Sequence, residues 1–375
     1  MNKILLFSYN NGVRGREPAA CTIFFAEGND EMGRTGRYSI LFDNKPVIRA
    51  RASVVGQKES EGPLGALFDE VIEDPMAGKN TWEEAESEFQ GRVVKHLLKK
   101  AELDKQDIRY IFAGDLLGQL IATSFGLESF EIPIFGLYGA CSTMGESLSL
   151  ASMAVSAGYA DNVIAMTSSH FASAEKQFRY PLDYGSQRPL CATWTVTGSG
   201  GVIVSNSDVF RSDNAVRVAG ITTGKIIDYG VSDSLNMGAA MAPAACEVIY
   251  GNLMDLEVGP DYYDAIYTGD LGSVGQTILT DLLKKKGIDI SGIHHDCGME
   301  IYDSEKQDTN AGGSGCGCSA CTLCAKILRD MEEGKMKRVL FVPTGALLST
   351  ISFNEGKTVP GVAHAVILEH GIKED

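Results

Sequence analysis

The sequence predicts an α/β protein built from two half-domains of similar fold. Three observations lead there. Residues 110–116 read YIFAGDL and residues 265–271 read AIYTGDL, two apolar runs ending in Gly-Asp-Leu and set 155 positions apart. A longer stretch also recurs, since VIRARASVVGQKESEGPLGALF is paralleled in order and length by VRVAGITTGKIIDYGVSDSLNM. A glycine-cysteine turn, helix and buried strand then occur twice, with Gly158 and Val163 matching Gly334 and Val339 at a common spacing of 176. A short fixed period would indicate a solenoid. One long spacing indicates a pseudo-dimer, whose functional site is expected at the seam where the ends of equivalent elements meet. Strands alternating with helices in both halves give the layered α/β class.

Residues 1–36 stand apart, rich in Asn, Gly, Arg and Glu, with only short apolar runs such as KILLF and CTIFF. They are expected to form a loosely attached extension, with Met32 a candidate for the usual first residue. The two halves then take residues 37–215 and 216–375. Strand-like runs begin after Tyr38 (SILF, then PVIRARASVV), and a loop with Gly-Pro punctuation follows. Thr81 to Glu84 forms a T-x-x-E capping box that opens a helix running to about Glu102. Its Ala85, Phe89, Val93 and Leu97 repeat every four residues. A strand at 108–113 ends at Gly114-Asp115. The segment from Pro133 to His170 reads as strand, tight turn, helix from about Ser142 to Ala157, and buried strand 162–167. Residues 192–205 read as a strand pair. In the second half, a helix at 239–254, a strand at 264–268 and a helical stretch from Ala320 to Arg329 repeat the order.

Bulk properties exclude several functions. No apolar run approaches the length needed to cross a bilayer, and the N-terminus lacks the series of a signal peptide. An intracellular protein is expected, with any membrane role carried by partners. Thirty-three basic against 49 acidic residues, a net charge of −16, argue against a nucleic-acid surface. The same charge makes an anion site depend on local help such as helix N-termini. Nine cysteines, scattered except for the last four, read as reduced thiols rather than a disulfide framework.

Cys141, in GACS between a strand and a helix, is the candidate nucleophile: a thiol at a helix N-terminus is placed where thiolate is favoured. The same corner suits an anion, and a small buried Cys near a turn is the plain alternative. The run Cys316-x-Cys318-x-x-Cys321-x-x-Cys324 partly resembles an iron–sulfur spacing, but Cys321 and Cys324 fall among apolar residues of a helix. Core packing is the reading taken, with no metal site. Asp115 and Asp270 each follow a strand and a glycine, a common place for an Asx turn or cap; their duplication suggests that both face the seam. His170 is the best placed of six histidines. His294 and His295 are read as a surface turn, His96 lies in a helix, and His364 and His370 bracket a terminal strand.

The motifs GDLLGQL, YGACSTMGESL, TSSHFASAEKQFRYPLDYG and ATWTVTGSGG, followed by TGDLGSVG, HDCG, AGGSGCGCSA and PTGALLS, resemble the stage V sporulation protein AD family over roughly residues 37–372. That resemblance implies the thiolase-like fold, two duplicated half-domains in α-β-α-β-α layers. It implies action in the forming spore, peripheral to the inner spore membrane, beside the stage V sporulation AA–AF membrane proteins. It further implies binding of dipicolinic acid, with calcium, as the material loaded into the spore core, and no cofactor. Homodimerisation is expected by analogy with the fold.

Within the wider superfamily Cys141 matches the nucleophilic cysteine of thiolases and ketoacyl synthases. Those enzymes need a second-half histidine. Here the matching strand ends Thr268-Gly269-Asp270, NAGGSGCGCSA holds no Gly-His-Pro, and PTGALLS lacks the thiolases' second cysteine. A nucleophile without its base and oxyanion donor loses most of the rate enhancement, so a scaffold kept for binding is expected. For a dipicolinate ligand, the elbow at Cys141-Ser142 and its counterpart at Gly317-Cys318 would aim two helix N-termini into one pocket. Asp115 and Asp270 would meet a protonated ligand or the accompanying calcium, and His170 would donate to a carboxylate. The alternatives are an acyltransferase using Cys141 with an unusual base, such as His170, and a structural subunit with a vestigial pocket.

Overall fold

The computed structural model describes residues 33–178 and 188–371. The expectation for an N-terminal extension therefore falls almost wholly outside the described residues. The first half contributes β1 (Val47–Gly56), α1 (Trp82–Ala101), β2 (Tyr110–Gly114), β3 (Ile134–Gly136), α2 (Thr143–Ser156), β4 (Asn162–Ser169) and β5 (Gly198–Ser205). The second contributes β6 (Arg217–Thr222), α3 (Met237–Asp255), β7 (Ala265–Thr268), α4 (Gly272–Lys285), β8 (His294–Asp296), α5 (Cys316–Thr322), β9 (Arg338–Val342) and β10 (Ala365–Glu369).

The strands lie in the order β8-β7-β9-β10-β6-β1-β5-β4-β2-β3. In the first half β2 is parallel to β3 and β4, while β5 is antiparallel to β4 and β1. In the second, β7 is parallel to β8 and β9, while β10 is antiparallel to β9 and β6. Order and direction therefore repeat strand for strand. The halves join where Arg217 of β6 meets Val47 of β1.

Strand periodicity explains the layers. Along β4, Val163 and Ala165 belong to a central core while Ile164 and Met166 belong to an outer one. Along β9, Val339 and Phe341 face the same central core, and Leu340 and Val342 face the opposite outer one. The central core holds α2, through Met144, Leu148 and Val155, and α5 with its continuation, through Cys318, Cys321, Cys324 and Leu328. Helix α1 covers one sheet face with Phe89, Val93 and Leu97. Helices α3 and α4 cover the other with Ile249, Leu253, Leu279 and Leu283. This is the α-β-α-β-α layering of the thiolase-like fold, with two duplicated halves.

The middle helices touch sheet on both sides, which demands small residues. A Cβ on Gly200 of β5 would stand 2.5 Å from the Ala320 carbonyl of α5. The cysteines of α5 serve this packing: Cys316, Cys318 and Cys321 are fully buried and Cys324 nearly so. Their thiols also diverge, Cys316 donating to the Ser168 carbonyl, Cys318 to that of Gly269 and Cys324 to that of Gly201.

Thr81 caps α1 as expected, its hydroxyl accepting from the Glu84 N–H at 3.2 Å. Two expectations are corrected. Residues 192–205 do not form a pair with each other, because Trp194–Thr195 lies alongside Gly313–Ser314 while β5 lies between β1 and β4. His294 and His295 belong to edge strand β8, with His294 sharing a hydrogen bond with Thr268 Oγ1 and His295 stacked on Tyr267.

Candidate ligand-binding site

Cys141 stands at the turn into α2, after Ala140 in the left-handed region at φ 51°. The turn is closed by its own hydroxyls. Ser142 Oγ donates to the Gly139 carbonyl at 2.7 Å and Thr143 Oγ1 to the Ala140 carbonyl at 2.6 Å. Ser142 is therefore a buried turn-former and not a free donor.

From the second half comes Asp270, after β7, the counterpart of Asp115 in the repeat. Its Oδ2 accepts from the Gly315 N–H at 2.9 Å and its Oδ1 from Thr344 Oγ1 at 2.9 Å. The Cys141 thiol lies close enough to the same carboxyl for each to shift the other's protonation. Burial raises the Asp270 carboxyl to about 7, against the hydrogen bonds that favour its ionised form. Burial also raises the Cys141 thiol well above its ordinary value, with Asp270 and Cys316 adding to it. The expected thiolate is thus overturned: a helix N-terminus does not offset a dry site beside a carboxyl.

The other expected residues do not converge here. Asp115 is fully buried, but its Oδ1 accepts from Leu117 N–H at 2.8 Å and its Oδ2 from Thr123 N–H at 2.8 Å and Thr123 Oγ1 at 2.6 Å. The Asx turn is its role, and the two aspartates that look equivalent in sequence differ in what they hold. Its neighbour Glu86 is buried too, raised to about 8 by burial and then by Asp115. His170 has both ring nitrogens engaged: Nε2 bonds the Pro75 carbonyl at 2.8 Å, and Nδ1 accepts from Ala172 N–H at 3.2 Å. It packs on Trp82 and Phe89, and burial lowers its pKa. A neutral, fully bonded imidazole there cannot serve Cys141 or a ligand beside it. Cys318 lies in the central core, and the Gly317 N–H donates to Ser169 Oγ at 3.1 Å. The second helix N-terminus is therefore satisfied internally and aims nothing into a pocket.

Cys141 does open onto a cavity. Leu116, Tyr138, Glu175, Thr195, Met237 and Leu348 line it with Cys141, and its enclosed space of about 30 Å³ suits one or two waters. Leu116, Tyr138 and Leu348 also border an outer vestibule of about 480 Å³, walled by Leu117, Leu120 and Ile351. The turn at Gln119 and Leu120, both left-handed at φ 54°, shapes that vestibule. Among the described residues no Lys, Arg or His lines the inner cavity.

Glu175 is the residue that sequence reasoning missed. It is buried, and its Oε1 accepts from Thr195 Oγ1 at 3.3 Å. The available signal was its place four residues after Phe171, on the inward face of a short helix. Met237 and Leu348 carried no signal, since each reaches the cavity from a distant part of the second half.

Comparison with known proteins gives the fold and the family. The crystal structure of 3-oxoacyl-[acyl-carrier-protein] synthase III from Aquifex aeolicus VF5 is similar at a TM-score of 0.53 and 15% identity, covering 87% of this chain and 100% of that one. A crystal structure of an OleA variant from Xanthomonas campestris is similar at a TM-score of 0.58 and 12% identity, covering 88% and 97%. At such identities the likeness establishes the fold alone. The stage V sporulation protein AD of Bacillus subtilis (strain 168) is 41% identical over 338 residues, 90% of this chain and 98% of that protein. The family described as Stage V sporulation protein AD (SpoVAD) matches residues 36–369, and the chain belongs to that family.

Proposed function

We propose that this sporulation protein is a non-catalytic subunit that binds dipicolinate at the Cys141 cavity during loading of the spore core. One observation carries the reading: the residue paired with Cys141 is a carboxyl, Asp270, where acyl-transfer chemistry needs an imidazole. A raised thiol beside an acid is a poor nucleophile. Among the described residues the inner cavity is lined by Glu175 and by no basic side chain, which disfavours a bare dianion. The ligand form this supports is the calcium chelate, whose cation would meet carboxylate and hydroxyl oxygens, or a protonated acid. A pyridine ring with two carboxyls is far larger than the inner space, so Leu348 and Met237 must shift to admit it.

Calorimetry with dipicolinate, with and without calcium, tests this. Saturable heat that is larger with calcium and reduced in Glu175→Gln supports the reading; no heat under either condition sinks it in favour of a vestigial pocket. Incubation with an acyl-CoA followed by mass spectrometry is expected to leave Cys141 unmodified. An acyl adduct there would restore the acyltransferase alternative.

A homodimer belongs to the same proposal. Strand β3 is a sheet edge whose three residues are all exposed, with Phe135 half-exposed and stacked on Phe112. Residues 132–140 carry no charge in a chain of net −16, so here two copies can approach. Phe135→Glu is expected to give a monomer by light scattering. Association with the inner spore membrane is assigned to the stage V sporulation AA–AF membrane proteins, because no helix among the described residues is long and apolar enough to cross a bilayer.

A further inference from the structure

The Cys141 cavity and the vestibule outside it share three side chains, Leu116, Tyr138 and Leu348, which form the neck between them. Two of the three are aliphatic, so the Tyr138 hydroxyl is the polar group that the neck side chains offer. The Tyr138 ring is nearly half-exposed. Its hydroxyl end lies deeper: burial foremost, then the thiols of Cys141 and Cys316 and the Asp115 carboxyl, push the phenol up to about 12. Those three neighbours are all buried, so the hydroxyl is turned inward. It keeps its proton at any ordinary pH and is a donor there.

Three hydroxyls line the inner cavity, those of Tyr138, Thr195 and Ser314. Thr195 and Ser314 stand opposite each other on adjacent strands, which places their side chains on one face. The groups around them are already engaged. Thr195 Oγ1 donates to Glu175 Oε1 at 3.3 Å, and the Gly315 N–H donates to Asp270 Oδ2 at 2.9 Å. Tyr138 and Ser314 differ: among the described residues neither hydroxyl has a hydrogen-bond partner.

A ligand that fills this space must offer an acceptor to each hydroxyl or leave a desolvated donor unpaired, which costs affinity. Beside Glu175, and with no basic side chain in the lining among the described residues, neutral hydroxyls are the strong donors this cavity presents to an oxygen.

We propose that Tyr138 and Ser314 are the specificity-determining residues of the Cys141 cavity, each donating its hydroxyl to a carboxyl oxygen of the ligand, Tyr138 at the neck and Ser314 on the inner wall. The assignment rests on the proposed binding of dipicolinate in this cavity and adds which side chains recognise its oxygens. Recognition by neutral donors also allows a carboxyl-bearing ligand to enter a site whose own ionisable groups are acids.

Calorimetry with dipicolinate and calcium on the full chain tests this, comparing the parent with Glu175→Gln, Tyr138→Phe, Ser314→Ala and the double hydroxyl variant. Tyr138→Phe and Ser314→Ala should each weaken binding about tenfold, the loss of one hydrogen bond to a charged acceptor. The double variant should lose roughly the product of the two. Each change removes one oxygen and breaks no hydrogen bond within the protein, so a thermal midpoint equal to the parent's separates lost recognition from lost fold. If Glu175→Gln is weakened while Tyr138→Phe or Ser314→Ala binds as the parent does, the cavity is the binding site and this assignment of donors is overturned. If the parent gives no heat, or if Glu175→Gln and both hydroxyl variants all bind as the parent does, the cavity reading falls and the assignment falls with it.

Discussion

Replacing Asp270 by Asn should remove a pH dependence of stability at the centre of the molecule. The wild-type carboxyl, ordinarily near 3.8, is raised to about 7 by complete burial. Between those values the folded chain holds a proton that the unfolded chain has released, so stability falls as pH rises through the window and levels off above it. Moving a carboxyl from 3.8 to about 7 corresponds to a ceiling of roughly 4 kcal/mol. About half of that is expected once relaxation and water penetration ease the charged form. Asparagine keeps an acceptor for the Gly315 N–H but rearranges the bond to Thr344 Oγ1, costing about 1 kcal/mol at every pH. The variant should therefore be slightly less stable than wild type at about pH 4 and more stable by about 1 kcal/mol at about pH 8. Urea unfolding followed by circular dichroism at both pH values measures this, and contributions from other titrating groups cancel in the comparison. Equal differences between the two proteins at both pH values would refute the reasoning.

Three further outcomes follow from the same structure. Cys141 should react slowly with iodoacetamide at neutral pH, and Asp270→Asn should speed it severalfold, because removing a neighbouring negative charge favours thiolate; peptide mass spectrometry reads the rate, and an unchanged rate contradicts the pairing. His170→Phe should cost about 2 kcal/mol through loss of the bond to the Pro75 carbonyl, yet leave dipicolinate affinity unchanged by calorimetry. Gly200→Ala should destabilise by about 1–3 kcal/mol, since its Cβ would press on the Ala320 carbonyl at 2.5 Å; a thermal midpoint equal to wild type would contradict that packing.

Much of the architecture was legible in the chain because burial on both faces leaves a simple mark. Runs such as VIAM and VLFV are apolar throughout, since alternate side chains of β4 and β9 enter different cores. The repeated Gly-Asp-Leu marks equivalent strand ends, and the spaced cysteines of α5 mark a helix that must be thin on every side. The candidate site was legible only in part. The duplication suggests that Asp115 and Asp270 both face the seam, whereas the carboxyl beside Cys141 is that of Asp270. Asp115, Ser142, His170 and Cys318 were each at a plausible place in the chain, and each is engaged by its own turn, loop or core.

The sequence by itself determined the layers, the duplication, the family and the lack of a histidine at the end of the strand 264–268, because these are written in local periodicity and residue identity. Only the tertiary structure decided which of two like aspartates reaches the thiol. It also decided that burial raises the thiol well above its ordinary range and that Glu175 lines the cavity. Desolvation and charge depend on what distant segments bring to within a few ångströms, and no local pattern records that.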